Sequence, residues 1–87
     1  MITRNKLEQL VLDCLNELLM ISYPDKALII SGEIKTYSWI EVVNIGEISC
    51  KNDDFTRITE KILEENNLSY KQKLVFFNLM KMYTKIE

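Results

Sequence analysis

Apolar side chains recur at three- and four-residue spacing over the first part of the chain, with polar side chains between them. The recurring positions are Leu7, Leu10, Val11, Cys14, Leu15, Leu18 and Ile21. This spacing predicts an amphipathic helix at about 4–21, with Thr3 as its N-cap. Leu12, Leu19 and Met20 widen the apolar surface, so the helix is either covered on two sides or contributes to an interface.

Residues 27–50 change to β-branched and aromatic side chains, which favour strands. We expect two or three strands, at about 27–31, 34–43 and 47–50, with a tight turn at Ser31-Gly32. Alternation in the middle strand places Tyr37, Trp39, Glu41 and Val43 on one face. The opposite face is more aliphatic and is expected to pack on the helices, which leaves Tyr37 and Trp39 toward solvent or a partner.

Two further helices are predicted in the last third of the chain. Asn52 offers a cap, and Asp53 and Asp54 offer carboxylates, to a helix whose apolar positions are Phe55, Ile58, Ile62 and Leu63. That helix ends near Asn67, because asparagine tolerates the left-handed conformation of a C-cap. Ser69 and Gln72 have capping-box spacing and begin a third helix that runs to about Lys85.

The C-terminal helix is apolar almost all the way around, which a single packed face does not explain. Helical spacing places Tyr70, Leu74 and Phe77 in one row. A second row contains Val75, Leu79, Met82 and Ile86. We expect the row with Phe77 to be core and the second row to be an interface with a partner or a second copy.

These elements predict the α+β class and a single domain over residues 1–87. The expected architecture is a two-layer α-β-β(-β)-α-α domain with a small antiparallel sheet packed against the helices. The length of 87 residues allows one core, and only two glycines and one proline argue against an all-β fold rich in tight turns.

Charge is distributed unevenly along the chain. The stretch from Glu8 to Glu65 carries a net charge of −7, whereas the remainder carries +5. One interpretation is that the basic ends neutralise the acidic middle once the chain folds. The other is an acidic face, including Glu41 and Glu47, that meets a basic partner.

The residue types needed for catalysis or metal binding are scarce. The chain has no histidine, and its cysteines, Cys14 and Cys50, are 36 positions apart, which is not a zinc-binding spacing. Gly32 and Gly46 stand alone, so a phosphate-binding loop is not indicated. We therefore expect neither an enzyme nor a cofactor or metal site, and we interpret both cysteines as buried apolar side chains unless the fold brings them together to pair.

Function is expected to lie in binding another protein. The leading hypothesis is a small acidic cytoplasmic protein, bacterial or phage-encoded, that acts as a stoichiometric inhibitor, immunity protein or regulator, without membrane contact. The candidate partner-binding residues are Tyr37, Trp39, Glu41, Glu47, Leu79 and Met82. A self-assembling structural subunit, dimeric through the C-terminal helix, is an alternative.

Two local resemblances suggest other functions. Asn67-Leu68-Ser69 resembles the glycine-aliphatic-serine turn of helix-turn-helix DNA-binding proteins, which implies nucleic-acid binding by residues 55–85. Lys73, however, occupies a position where that motif has a buried aliphatic residue. The segment that begins at Ser38 resembles the phosphopantetheine-bearing segment of acyl carrier proteins, but Tyr37 stands where that family has aspartate. We interpret Ser38 as an ordinary strand serine.

Overall fold

A computed structural model describes residues 2–23, 28–30 and 33–87, and within them the chain forms four helices and four short strands. The helices are α1 (Arg4–Ser22), α2 (Trp39–Ile45), α3 (Asn52–Asn66) and α4 (Tyr70–Tyr83). The strands are β1 (Leu28–Ile30), β2 (Glu33–Lys35), β3 (Ile48–Cys50) and β4 (Thr84–Ile86). The predicted mixed α+β class is confirmed.

The strands form two separate pairs. β1 and β2 pair antiparallel, while the expected turn at Ser31-Gly32 lies outside the described residues. β3 and β4 pair parallel, with Ile48 opposite Thr84. At the end of this pair, Glu87 N donates a hydrogen bond of 2.9 Å to Cys50 O. The expected antiparallel sheet against the helices is therefore wrong. Parallel strands need a long crossover, and α3 and α4 together provide it.

The predicted middle strand, 34–43, is confirmed only at its start, in β2, and is wrong beyond it, because its second half forms α2. The side chain of Ser38 accepts a hydrogen bond from Glu41 N, and Glu41 in turn caps the Ser38 backbone. This capping box starts a helix of seven residues that buries Val42 completely. A cap and one core contact thus override the β preference of the sequence.

The other element boundaries lie close to those expected. Thr3 caps α1, and Asn67 adopts the left-handed conformation after α3, with φ of 47°. Lys51, rather than Asn52, occupies the N-cap of α3, without a side-chain hydrogen bond. α4 ends at Tyr83, two residues before the expected Lys85, because the chain turns there into β4.

α1 is the central element of the core. It packs against α3, α4 and β3, so the expected cover on two sides is confirmed for most of the helix, whereas Met20 and Ile21 are exposed. Val11, Leu15 and Leu18 of α1 are fully buried, together with Phe76 and Met80 of α4. In the described parts of the chain, every helix is too short or too polar to cross a bilayer.

Candidate protein-binding surface

The start of α2 is held against α1 by a buried asparagine. The Asn16 side chain accepts a hydrogen bond from Tyr37 N at 2.5 Å and donates to Tyr37 O at 3.0 Å. Its amide also donates to Leu12 O at 3.0 Å. Because both backbone groups of Tyr37 are tied to α1, the position of Trp39, two residues later at the first turn of α2, is closely defined.

The orientation of α4 is defined by its own cap. Ser69 N donates to Gln72 Oε1 at 3.1 Å, and Gln72 Nε2 donates to Ile2 O at 2.8 Å, which links α4 to the chain before α1. Phe76 and Met80, one turn apart, are completely buried. This corrects the predicted core row, since Tyr70 and Leu74 are exposed and Phe77 is only partly buried.

α2 and α4 together form an apolar groove. The rings of Trp39 and Tyr83 are 5.5 Å apart with an interplanar angle of 52°. With Val43, Leu79 and Glu8 they line a shallow groove of about 290 Å³. Aromatic side chains that are packed on one side and accessible on the other are frequent anchors of protein interfaces.

Exposed apolar side chains extend this groove. Val43 is 55% exposed and Met82 is 67% exposed. Val75 lies one helical turn before Leu79 and is also exposed. We call this surface the α2–α4 face, which consists of Trp39, Val43, Val75, Leu79, Met82 and Tyr83. Ile40, the next residue around α2, is 75% exposed beside it.

The structure brings together some of the candidate binding residues and separates others. Trp39 and Leu79 line the same groove, and Met82 extends it. Tyr37 is partly buried on the segment before α2, and Glu47 is exposed after it. Glu41 is occupied in the capping box, where its carboxylate accepts from Ser38 N at 2.7 Å.

Three residues of the α2–α4 face, namely Val43, Val75 and Tyr83, were not among the candidates. The signal for Val75 was present, since it belongs to the second row predicted for the last helix. Tyr83 shares that helix with Leu79 at a spacing of four. Val43 follows Trp39 by four positions, which places them together on a helix and would have been informative had α2 been recognised.

The lining of the groove includes one charged side chain, which is paired. Glu8, which lines it, pairs with Arg4, whose Nε lies 3.3 Å from Glu8 Oε1. Lys73, on the side of α4 that carries Phe77, shares a shallow depression with Glu60 and Glu64 of α3. Lys73 forms no ion pair with a described residue, so the neutralisation of the acidic middle by the basic ends stays a prediction.

Burial disfavours the thiolate form of both cysteines. Cys14 and Cys50 are free and buried, as expected for apolar core side chains. Burial, with the nearby carboxylates Glu17 and Asp13, raises the pKa of Cys14 from 9.0 to about 12, and burial also raises the pKa of Cys50. A thiol must lose its proton to attack or to bind a metal. Among the described residues, no cluster of three or more acidic or sulfur side chains is arranged to hold a metal ion.

The structure shows where the two segments lie that resemble helix-turn-helix and acyl carrier proteins. The turn between α3 and α4 has a left-handed Asn67, a buried Leu68 and a capping Ser69. Lys73 is exposed, in agreement with its departure from the helix-turn-helix pattern. Ser38 is the N-cap of α2, so its interpretation as a strand serine is wrong.

Comparison with known proteins supplies no further assignment, because no family model, no curated protein and no solved structure matches this chain. The geometry of the α2–α4 face is therefore the observation on which a function can be argued.

Proposed function

We propose that this chain is a protein-binding module that acts by stoichiometric binding to another protein through the α2–α4 face, as an inhibitor, immunity-type protein or regulator. One observation carries this function: a rigidly positioned aromatic pair, Trp39 and Tyr83, lies in an apolar groove whose borders are exposed apolar side chains. Exposed apolar patches on small proteins commonly mark interaction sites. We also infer a two-layer arrangement, since β3 packs on α1 and β4 follows α4.

The internal construction of the face supports a binding role. Val42 and Met80 anchor α2 and α4 in the core, while Asn16 and Gln72 fix the segments that precede or begin these helices. A surface that is already ordered loses little conformational entropy when a partner binds. Such a surface suits a small protein that works by occupying a site on a larger one.

Nucleic-acid binding by α3 and α4 is the second candidate function. The turn at Asn67-Leu68-Ser69 supports it, as do Lys71 and Lys81 on α4, which form no ion pair with any described residue. The exposed Leu74 and Val75 count against it, because they stand near the start of α4 where base-reading side chains belong. Nucleic-acid binding would weaken steeply as salt concentration rises.

The double substitution Leu79→Gln with Met82→Gln tests the leading function. Met82 is exposed, but Leu79 is partly buried against the core, so the variant should stay folded and lose no more than about 2 kcal/mol of stability. Affinity capture from the source organism with the unchanged chain should yield one protein in near-equal amount, and the double variant should lose it. Thr56→Gln with Glu65→Gln, on the exposed side of α3, is the matched control.

If the double glutamine variant captures the same protein as the parent chain, the α2–α4 face is not the binding surface. If the captured material is nucleic acid and its yield falls with salt, the second candidate replaces the first. Circular dichroism melts of all variants separate lost binding from lost folding.

A further inference from the structure

The α2–α4 face has opposite charges at its two ends. On α4, Lys71 precedes Val75, Leu79 and Met82 at spacings of four, four and three, so it lies at one end of the apolar row. At the other end, Ile48 is opposite Thr84 in the parallel sheet, which places Glu47 beside the Tyr83 end of α4. Lys71 and Glu47 are exposed, and neither forms an ion pair with a described residue.

A surface with this charge pattern is complementary to itself. In a two-fold dimer the same patch meets itself, with the direction of each helix reversed. An axis through the middle of the face, midway along α4 between Val75 and Leu79, therefore sets the two α4 helices antiparallel. Lys71 of one copy then faces Glu47 of the partner subunit, and the symmetric pair forms at the opposite end. Complementary charges fix such a register.

We propose that a second copy of this chain covers the α2–α4 face, in an antiparallel two-fold dimer that pairs Lys71 with Glu47 of the partner subunit. The dimer and the partner protein of the proposed function would occupy the same surface. Self-association would then regulate partner binding, because only the monomer presents the face. This regulatory consequence rests on the proposed function, whereas the proposal of a dimer does not.

The available area fits a weak dimer. From their exposed fractions, Val43, Val75 and Met82 of the face offer roughly 330 Å² of surface per copy and Ile40 beside it roughly 150 Å² more, against about 800 Å² per partner in a standard interface. The groove side chains and the terminal charges add to that area. We therefore expect dissociation in the micromolar range, which suits a contact that another protein can displace.

Charge reversal on the purified protein tests the dimer. Sedimentation equilibrium across the micromolar range, at low salt, should show the unchanged chain shifting from monomer to dimer. Lys71→Glu or Glu47→Lys alone should weaken the dimer about tenfold or more, because each turns two attractive contacts into repulsive ones. The combination of both reversals should restore it. Lys81→Glu, about 100° around α4 from Met82 and outside the apolar row, is the matched control and should weaken the dimer far less.

Trp39 provides a second measurement, since the chain has a single tryptophan and it lies in the groove. Its emission should shift to shorter wavelength as the dimer forms. A chain that stays monomeric throughout, or a double reversal that does not restore association, overturns the dimer. In the first case, loss of the captured protein by the Leu79→Gln, Met82→Gln variant would leave the proposed function intact. A dimer accompanied by unaffected capture would overturn only the function.

Discussion

α1 and α4 are both more apolar than one packed face requires, yet α1 has most of its surplus covered within the chain, with Met20 and Ile21 exposed near its C-terminal end. Seven apolar side chains of α1 are buried, and the helix packs against α3, α4 and β3. In α4 the buried side chains are Phe76 and Met80, while Tyr70, Leu74, Val75 and Met82 are exposed. A surplus of apolar residues in a sequence therefore has two different explanations in one small protein.

The position of each helix in the fold explains the difference. α1 is central, and even its polar Asn16 is buried and fully hydrogen-bonded to the segment before α2. α4 is peripheral and contributes one face to the core. Its remaining apolar surface belongs to the α2–α4 face or lies open. Substitutions of comparable size should therefore have much larger effects in α1 and on the inner face of α4 than elsewhere.

The largest effect is expected for Leu15→Asp in α1. Leu15 is fully buried, so the substitution places a charge among apolar side chains. We expect a loss of about 5 kcal/mol or more, which is comparable to the whole stability of a small domain. A thermal melt followed by circular dichroism measures it.

Glu17→Ala is the control in the same helix. It removes only an exposed ion pair, in which Lys61 Nζ lies 3.6 Å from Glu17 Oε1, and should cost less than about 1 kcal/mol. Similar melting temperatures for the two variants would show that α1 is not the centre of the core.

Phe76→Ala should separate the two faces of α4. Phe76 is completely buried, and its truncation should cost about 3–5 kcal/mol. Leu74→Ala, two residues earlier on the exposed side, should change stability by less than about 1 kcal/mol. Urea unfolding with a common slope measures both changes. Equal losses would mean that the exposed side of α4 is covered in solution, and the comparison between the two helices would fail.

α1, α3 and α4 were predictable because local signals agree with their packing. The periodicity of α1, the asparagine that ends α3 and the capping box of α4 each correspond to a feature of the structure. The segment 34–43 misled because β-branched residues dominate it, while the deciding signal, Ser38 with Glu41, is a cap of only two residues. The parallel pairing of β3 and β4 joins residues more than thirty positions apart. No local pattern encodes such a contact.

The candidate site was predictable only in part. Leu79 and Met82 followed from helical spacing that the structure preserves, and Trp39 was placed toward a partner although its strand does not exist. The capping role of Glu41 does not follow from a strand reading, because it depends on α2. The second row of α4 could be assigned, but the groove required the position of α2 beside it, which depends on the buried Asn16 and its long-range hydrogen bonds.

The smallest expected effect concerns Cys14, which lies in the buried part of α1. Its burial should make the free energy of unfolding depend on pH. Its folded pKa is raised from 9.0 to about 12, chiefly by burial and further by Glu17 and Asp13. Below pH 9 the thiol is protonated in both the folded and the unfolded chain, so its ionisation does not reduce the stability. Between pH 9 and 12 the unfolded chain releases the proton while the folded chain retains it, so stability falls as pH rises. From pH 8 to pH 10 this loss should be about 1.4 kcal/mol.

Urea unfolding under reducing conditions at both pH values measures this loss, and Cys14→Ala supplies the comparison because other groups also titrate there. The alanine variant should lose less stability over that interval by this amount. An identical loss in both proteins would show that Cys14 is open to solvent. α1 would then not be covered at this position, and the contrast with α4 would fail there.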